Sequence, residues 1–139
     1  ALDDWTSIIS VERVAELHAE GIRRHGEGTI DPPRPWCVEG GLGNAWSAEV
    51  YADRPGMVRG FVFAAHAYIY LESRQCFTNG NKRAAWLTMV DILHSIGIDL
   101  DCSEQEAIDV CERITAKEMN ADGLLAWLAA HAVDIDDQA

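Results

Sequence analysis

The segment Gln75-Cys76-Phe77-Thr78-Asn79-Gly80-Asn81-Lys82-Arg83 concentrates the residue types that bind phosphate. Gly80 permits a backbone turn closed to other residues. The N–H groups of residues 79 to 82 can then point the same way and form a concave anion site. A predicted helix starts at Lys82, so its unpaired N–H groups and dipole add partial positive charge there. Lys82 and Arg83 bring two full charges to the same point. Cations are slightly unfavourable at a helix N-terminus, and an anionic ligand would explain the pair. The plainer alternative is a solvated basic pair after an Asn-Gly turn. The segment is not a Walker loop, because it lacks G-x-x-x-x-G-K-[ST] and a preceding strand. Phe77 is its one large apolar side chain and is expected to pin the loop to the core.

The elements that must position this loop follow from periodicity. Ser10 is the expected N-cap of a first helix with positions 11, 14, 15, 18 and 22 on its inner face, ending near His25-Gly26. Residues 27 to 43 hold Pro32, Pro33, Pro35, Gly28, Gly40, Gly41 and Gly43 and read as a long loop or short hairpin. Asn44 to Ala52 reads as a short helix. Met57 to about Arg74 is apolar nearly all round, as a central buried helix is. Helices are further predicted over Lys82–Ser95, from a Ser103/Glu106 capping box to about Glu118, and from Asn120 or Asp122 through Leu128. The expected fold is all-α, about six helices in one domain over residues 1–139. Its core spans about 8–133, with a loose tail over 134–139.

The 139 residues are 48% apolar, enough for one sizeable core. The longest near-continuous apolar run, Phe61 to Leu71, is far short of the roughly 20 residues that a bilayer crossing needs. The first residues lack a secretory signal. Both features predict a soluble cytoplasmic protein with no membrane role. Eleven basic against 23 acidic residues give a charge of −12. Such a surface repels nucleic acid and argues against direct binding, yet leaves room for one local basic site. Cys37, Cys76, Cys102 and Cys111 show no C-x-x-C spacing and read as reduced packing cysteines, a disulfide being the alternative. His66 stands nine residues before Gln75, about 13 Å along a helix, and reads as a core or partly buried histidine. Asp99/Asp101 and Asp134/Asp136/Asp137 read as solvated faces or tail rather than metal ligands.

The 75–83 segment resembles the motif H-x-F-x-[D/E]-G-N-[G/K]-R of the Fic/Doc family. Phe77, Gly80, Asn81, Lys82 and Arg83 match in type and spacing. Ile9 to His18 is similar to the family's first helix. Gly41-Leu42 through Asp53-Arg54-Pro55 and Leu125-Ala126-Trp127-Leu128 fit later segments, so most of residues 8–133 is covered. The resemblance implies transfer of part of a nucleoside triphosphate to a hydroxyl of a target protein. Lys82 at the second Gly position is similar to the death-on-curing (Doc) branch. Trp86 stands where AMP-transferring members carry a second Arg. Phosphate rather than AMP transfer is therefore implied. The implied partners are a translation elongation factor as target and a small antitoxin, in a prokaryotic toxin–antitoxin pair. Carried over by position, Lys82 and Arg83 hold the phosphates of ATP or another nucleoside triphosphate. Phe77, Thr78, Gly80 and Asn81 form the rest of the nucleotide site. Residues 28 to 40 resemble the flap that docks the target.

Two positions depart from the motif. Gln75 replaces the His that acts as general base, and an amide cannot take a proton at pH 7. Loss of that help costs about 10²–10⁴ in rate. Asn79 replaces the acidic residue at the Mg²⁺ position and offers a hard cation a weaker oxygen. Three readings of Gln75 stand open: an introduced replacement, a variant using a base from elsewhere, or a binding or regulatory protein without chemistry.

Overall fold

A computed structural model describes residues 4–26, 28–52 and 54–136. Among them are six α-helices: α1 Val11–His25, α2 Cys37–Tyr51, α3 Phe61–Arg74, α4 Asn81–Ser95, α5 Glu104–Thr115 and α6 Ala121–His131. Helix α3 is central and packs against α2, α4 and α6, while α1 lies on α4. Phe63 and Tyr68 of α3, Leu42 of α2, Met89 and Ile92 of α4, and Leu124 and Leu128 of α6 are fully buried. This core explains why α3 is apolar on every side. It needs no amphipathic stripe, because helices cover it all round.

Local chemistry sets the helix ends. Ser10 Oγ accepts from Arg13 N at 3.0 Å, and Gly26 closes α1 in the left-handed conformation, φ 64°. The Ser103/Glu106 capping box opens α5, and Asn120 Oδ1 accepts from Gly123 N at 2.9 Å to open α6. Helix α3 begins at Phe61 rather than Met57, because its cap is supplied across the core. The carboxylate of Glu49 in α2, only 6% exposed, accepts from Gly60 N and Phe63 N at 3.0 Å each. A negative charge there also complements the helix dipole.

The long loop expected over 27–43 is shorter. Helix α2 already starts at Cys37, and Gly40, Gly41 and Gly43 are helical. Gly40 and Gly41 serve close packing instead of loosening the chain. A Cβ on Gly40 would lie 2.5 Å from Arg74 Nη2, and one on Gly41 3.2 Å from Arg74 Cδ. Arg74 of α3 thus lies flat on α2, and its Nε donates to Cys37 O at 3.0 Å. Since Glu49 meets the start of α3 and Gly40 its end, the two helices run antiparallel.

No strand forms in the described residues of 27–43. The two-stranded antiparallel sheet lies elsewhere, joining β1 (Ile98–Leu100) to β2 (Ala132–Asp134) with Asp99 opposite Val133. Ile135 N continues the pairing to Gly97 O at 3.0 Å. Asp134 is therefore held in a ladder and is not part of a loose tail. Asp137, read with that tail, and Asp53 lie outside the described residues.

The cysteine expectation is also corrected. Cys37 and Cys76 form a disulfide with Cα atoms 5.5 Å apart, and only Cys102 and Cys111 are free. Their separation of 39 positions hides the pairing in the sequence. The antiparallel packing of α2 on α3 creates it. Closing a loop of that size removes roughly 4 kcal/mol of chain entropy from the unfolded ensemble.

Replacing Glu49 by Ala leaves two N–H groups at the start of α3 without their acceptor. The expected loss is about 3 kcal/mol of unfolding free energy in urea titration. A loss below about 0.5 kcal/mol would mean that the carboxylate is not the cap.

Candidate functional site

The loop between α3 and α4 is built by its own side chains. Gln75 ends α3 in the left-handed region, φ 52°, and its Nε2 donates to Glu72 O at 2.8 Å. Cys76 is bridged to α2. Phe77 is buried, and its ring stacks on the imidazole of His18 from α1, with centroids 3.9 Å apart and planes 7° from parallel. The carboxamide of Asn81 reaches back over one turn. It accepts from Phe77 N and donates to Phe77 O, both at 2.9 Å. Asn81 is thus a bracket for the loop backbone as well as the first residue of α4.

His18 adds a second tie. Its Nε2 lies 2.8 Å from Asn79 O. A carbonyl can only accept, so Nε2 carries the proton and donates. His18 was legible as an inward position of the first helix, but nothing in the sequence linked it to a loop 61 positions away. Gly80 then turns the chain at φ 70°, where a Cβ would stand 2.9 Å from Ile22 Cδ1. Only glycine suits both the dihedral and the space.

Beyond Phe77 the backbone is unspent. Among the described residues, no group accepts from the N–H of Thr78, Asn79, Gly80, Asn81, Lys82 or Arg83. Lys82 and Arg83 are exposed and form no ion pair with any described residue. The stem of Arg83 rests on Gly21 of α1, where an added Cβ would meet it at 3.2 Å. Gly21 is therefore the notch that sets the direction of Arg83. These groups face a cleft of ≈ 620 Å³ between α1, α4 and α5. Arg24 and His25 from the end of α1 stand on the same cleft, with Trp86 and Ile108 as apolar wall and Glu112 on the far side.

The expected site residues do not all play the expected parts. Gln75, Thr78, Asn79, Gly80, Asn81, Lys82 and Arg83 all line the cleft, whereas Phe77 anchors the loop from below. Both ends of the Asn79 amide engage Thr29 in the segment before α2: Oδ1 accepts from Thr29 N at 3.3 Å and Nδ2 donates to Thr29 Oγ1 at 3.2 Å. Gly28 makes this possible, since a Cβ there would collide with Asn79 Oδ1. Position 79 consequently offers Mg²⁺ one neutral oxygen that already accepts a hydrogen bond. Among the described residues no group of three His, Cys, Asp or Glu could hold a metal ion. That donor set does not fit the near-octahedral oxygen shell that Mg²⁺ demands. His66 is half-buried on α3 with its pKa lowered by burial, and it is not among the cleft residues.

No family model matches this chain, and no curated protein or solved structure shows significant similarity to it.

Asn81→Ala would leave both backbone groups of Phe77 without partners in a buried setting. About 2 kcal/mol of stability should be lost. The Phe77 amide should also exchange with solvent faster than in the unaltered chain; an unchanged exchange rate would mean that the bracket is not what holds the loop.

Proposed function

We propose that this chain binds a nucleoside triphosphate, such as ATP, by its phosphates in the cleft between α1, α4 and α5. The observation that carries this reading is the run of backbone N–H groups from Thr78 to Arg83 that find no acceptor among the described residues, beside Lys82 and Arg83, which form no ion pair with any described residue. Charge-assisted hydrogen bonds to such an array are each worth about 1.5–3 kcal/mol. In a chain of charge −12, this local cluster is where an anion finds a favourable field. Lys82→Ala and Arg83→Ala should each weaken ATP binding about tenfold or more by calorimetry, since 1.4 kcal/mol is a factor of ten. Arg113→Ala, an exposed cation outside the cleft, should not. ATP affinity indifferent to all three would overturn the reading.

We further propose a Doc-like activity: transfer of the terminal phosphate to a hydroxyl of a translation protein, with a small antitoxin as partner and the cytoplasm as location. In that reaction the bond from the terminal phosphorus to the bridging oxygen breaks and one to the target's hydroxyl oxygen forms. The hydroxyl proton passes to solvent water, and the nucleoside diphosphate leaves with the bridging oxygen. The support is the motif Phe77, Gly80, Asn81, Lys82 and Arg83. Among the described residues no helix is long and apolar enough to cross a membrane.

A second reading, a binding or regulatory protein without turnover, is favoured by the two departing residues. Gln75 Nε2 donates to Glu72 O and its Oε1 accepts from Asn81 Nδ2 at 3.4 Å, while the Asn79 amide is spent on Thr29. Neither is a proton acceptor at neutral pH. Gln75→His decides between the two. Under the Doc-like reading, label transfer from γ-labelled ATP to extract proteins should rise about 10²-fold or more. No label above a Lys82→Ala control, in either chain, leaves binding as the function.

A further inference from the structure

The Cys37–Cys76 disulfide joins the candidate loop to the first residue of α2. Cys76 directly precedes the anchor Phe77, so the bond acts on the loop at its root. Among the described residues, three other than glycine have left-handed backbone: Trp36, Gln75 and Lys117. Trp36 (φ 64°) and Gln75 (φ 52°) each directly precede a bridged cysteine. Such conformations are strained for non-glycine residues and persist only where the surroundings hold them. The Trp36 side chain is 78% exposed and supplies no cap bond, so it does not hold itself in place. The bridge is the covalent restraint that both strained residues share.

Both sulfurs are buried, with Cys37 5% and Cys76 2% exposed. One exposed side chain, Arg34, lies beside Cys37 Sγ. Its backbone N donates to Cys76 O at 2.8 Å. Its Nη2 lies 2.5 Å from Arg74 O, 3.3 Å from Gln75 O and 3.4 Å from Cys37 Sγ. A guanidinium beside Cys37 Sγ favours that sulfur as the departing thiolate. The free thiols Cys102 and Cys111 have pKa values pushed up by burial.

We infer that the Cys37–Cys76 bridge is a thiol-reducible latch that holds the loop in its phosphate-binding form when closed and releases it when open. This rests on the phosphate reading of the loop. A thiolate of a dithiol reductant bonds to Cys76 Sγ as the S–S bond breaks, and Cys37 leaves as a thiolate beside Arg34. The reductant's second thiolate then attacks its own bound sulfur, closes the reductant's disulfide and frees Cys76. Two electrons pass from the reductant to the bridge, and each freed sulfur takes up a proton. With the bond open, Trp36 and Gln75 can relax, and the Phe77 anchor loses its covalent tie to α2.

The test compares the full chain oxidised, reduced by dithiothreitol, and as the Cys37→Ser/Cys76→Ser double variant. Amide hydrogen exchange is read at Phe77 and Arg34, with amides of Phe63–Leu71 and Met89–Leu93 as core references. Pyrophosphate affinity is measured on the same samples. In the reduced chain and the double variant, Phe77 and Arg34 should exchange at least tenfold faster while core amides hold. Pyrophosphate should bind about tenfold more weakly. Equal loop exchange in all three, or core amides accelerating as much as Phe77, overturns the latch, the second outcome making the bridge a general staple. Equal pyrophosphate affinity in the three samples overturns the latch alone. Absence of pyrophosphate binding even when oxidised overturns the phosphate reading beneath it.

Discussion

The carboxamide of Asn81, closed on the backbone of Phe77, is the interaction on which the candidate site depends. One planar amide satisfies a buried N–H and a buried C=O at once, each at 2.9 Å. Left unpaired in the core, those two groups would cost more than the bonds themselves contribute. With them satisfied, Phe77 can sink beneath His18, and the chain can rise through Gly80 into α4. The arrangement frees the N–H groups that follow. Asn81 spends its own side chain backwards, so no side chain caps α4 from within.

The electrostatics follow from the same geometry. An uncapped helix start carries partial positive charge. Placing Lys82 and Arg83 there adds repulsion that a typical helix avoids. Neither cation is neutralised by a described neighbour, although the chain has twice as many acidic as basic residues. Other cations do find carboxylates: Arg13 pairs with Asp91 at 2.9 Å and Arg54 with Asp122 at 2.9 Å. The contrast puts the unpaired positive charge on the wall of the cleft, where a polyphosphate would compensate it.

Ties from several elements hold the loop from outside. Asn79 is bonded to Thr29 of the segment before α2, Asn79 O to His18 of α1, and Cys76 to Cys37 of α2. Each comes from a different part of the chain, so the loop records the packing of the whole molecule. The side chains of Gln75 and Asn79 are tied into the same local structure. The Gln75 amide donates to Glu72 O and accepts from Asn81 Nδ2, and the Asn79 amide accepts from Thr29 N and donates to Thr29 Oγ1. Phe77 anchors the loop, and under the proposed phosphate reading Gly80–Arg83 supply the anion site.

By itself the sequence determined the helices and the loop, because both are local. Ser10, Ser103 with Glu106, and Asn120 cap the helices they were read to cap, since a capping bond spans three residues. The apolar pattern of Phe61–Leu71 marked the central helix, and Gly80-Asn81-Lys82-Arg83 marked the turn into α4. Only the tertiary structure decided what lay far apart in the chain. Gly40 and Gly41 looked like loop formers until the close approach of Arg74 showed them to be helical. Helix α3 starts at Phe61 because Glu49 caps it from another helix. The reduced cysteines became a bridge, and Asn79 became a partner of Thr29, once α2 and the segment before it had packed against the loop. Composition and periodicity carry information over one or two turns. A hydrogen bond or disulfide across 39 to 61 positions exists only after the core has folded and brought its ends within bonding distance.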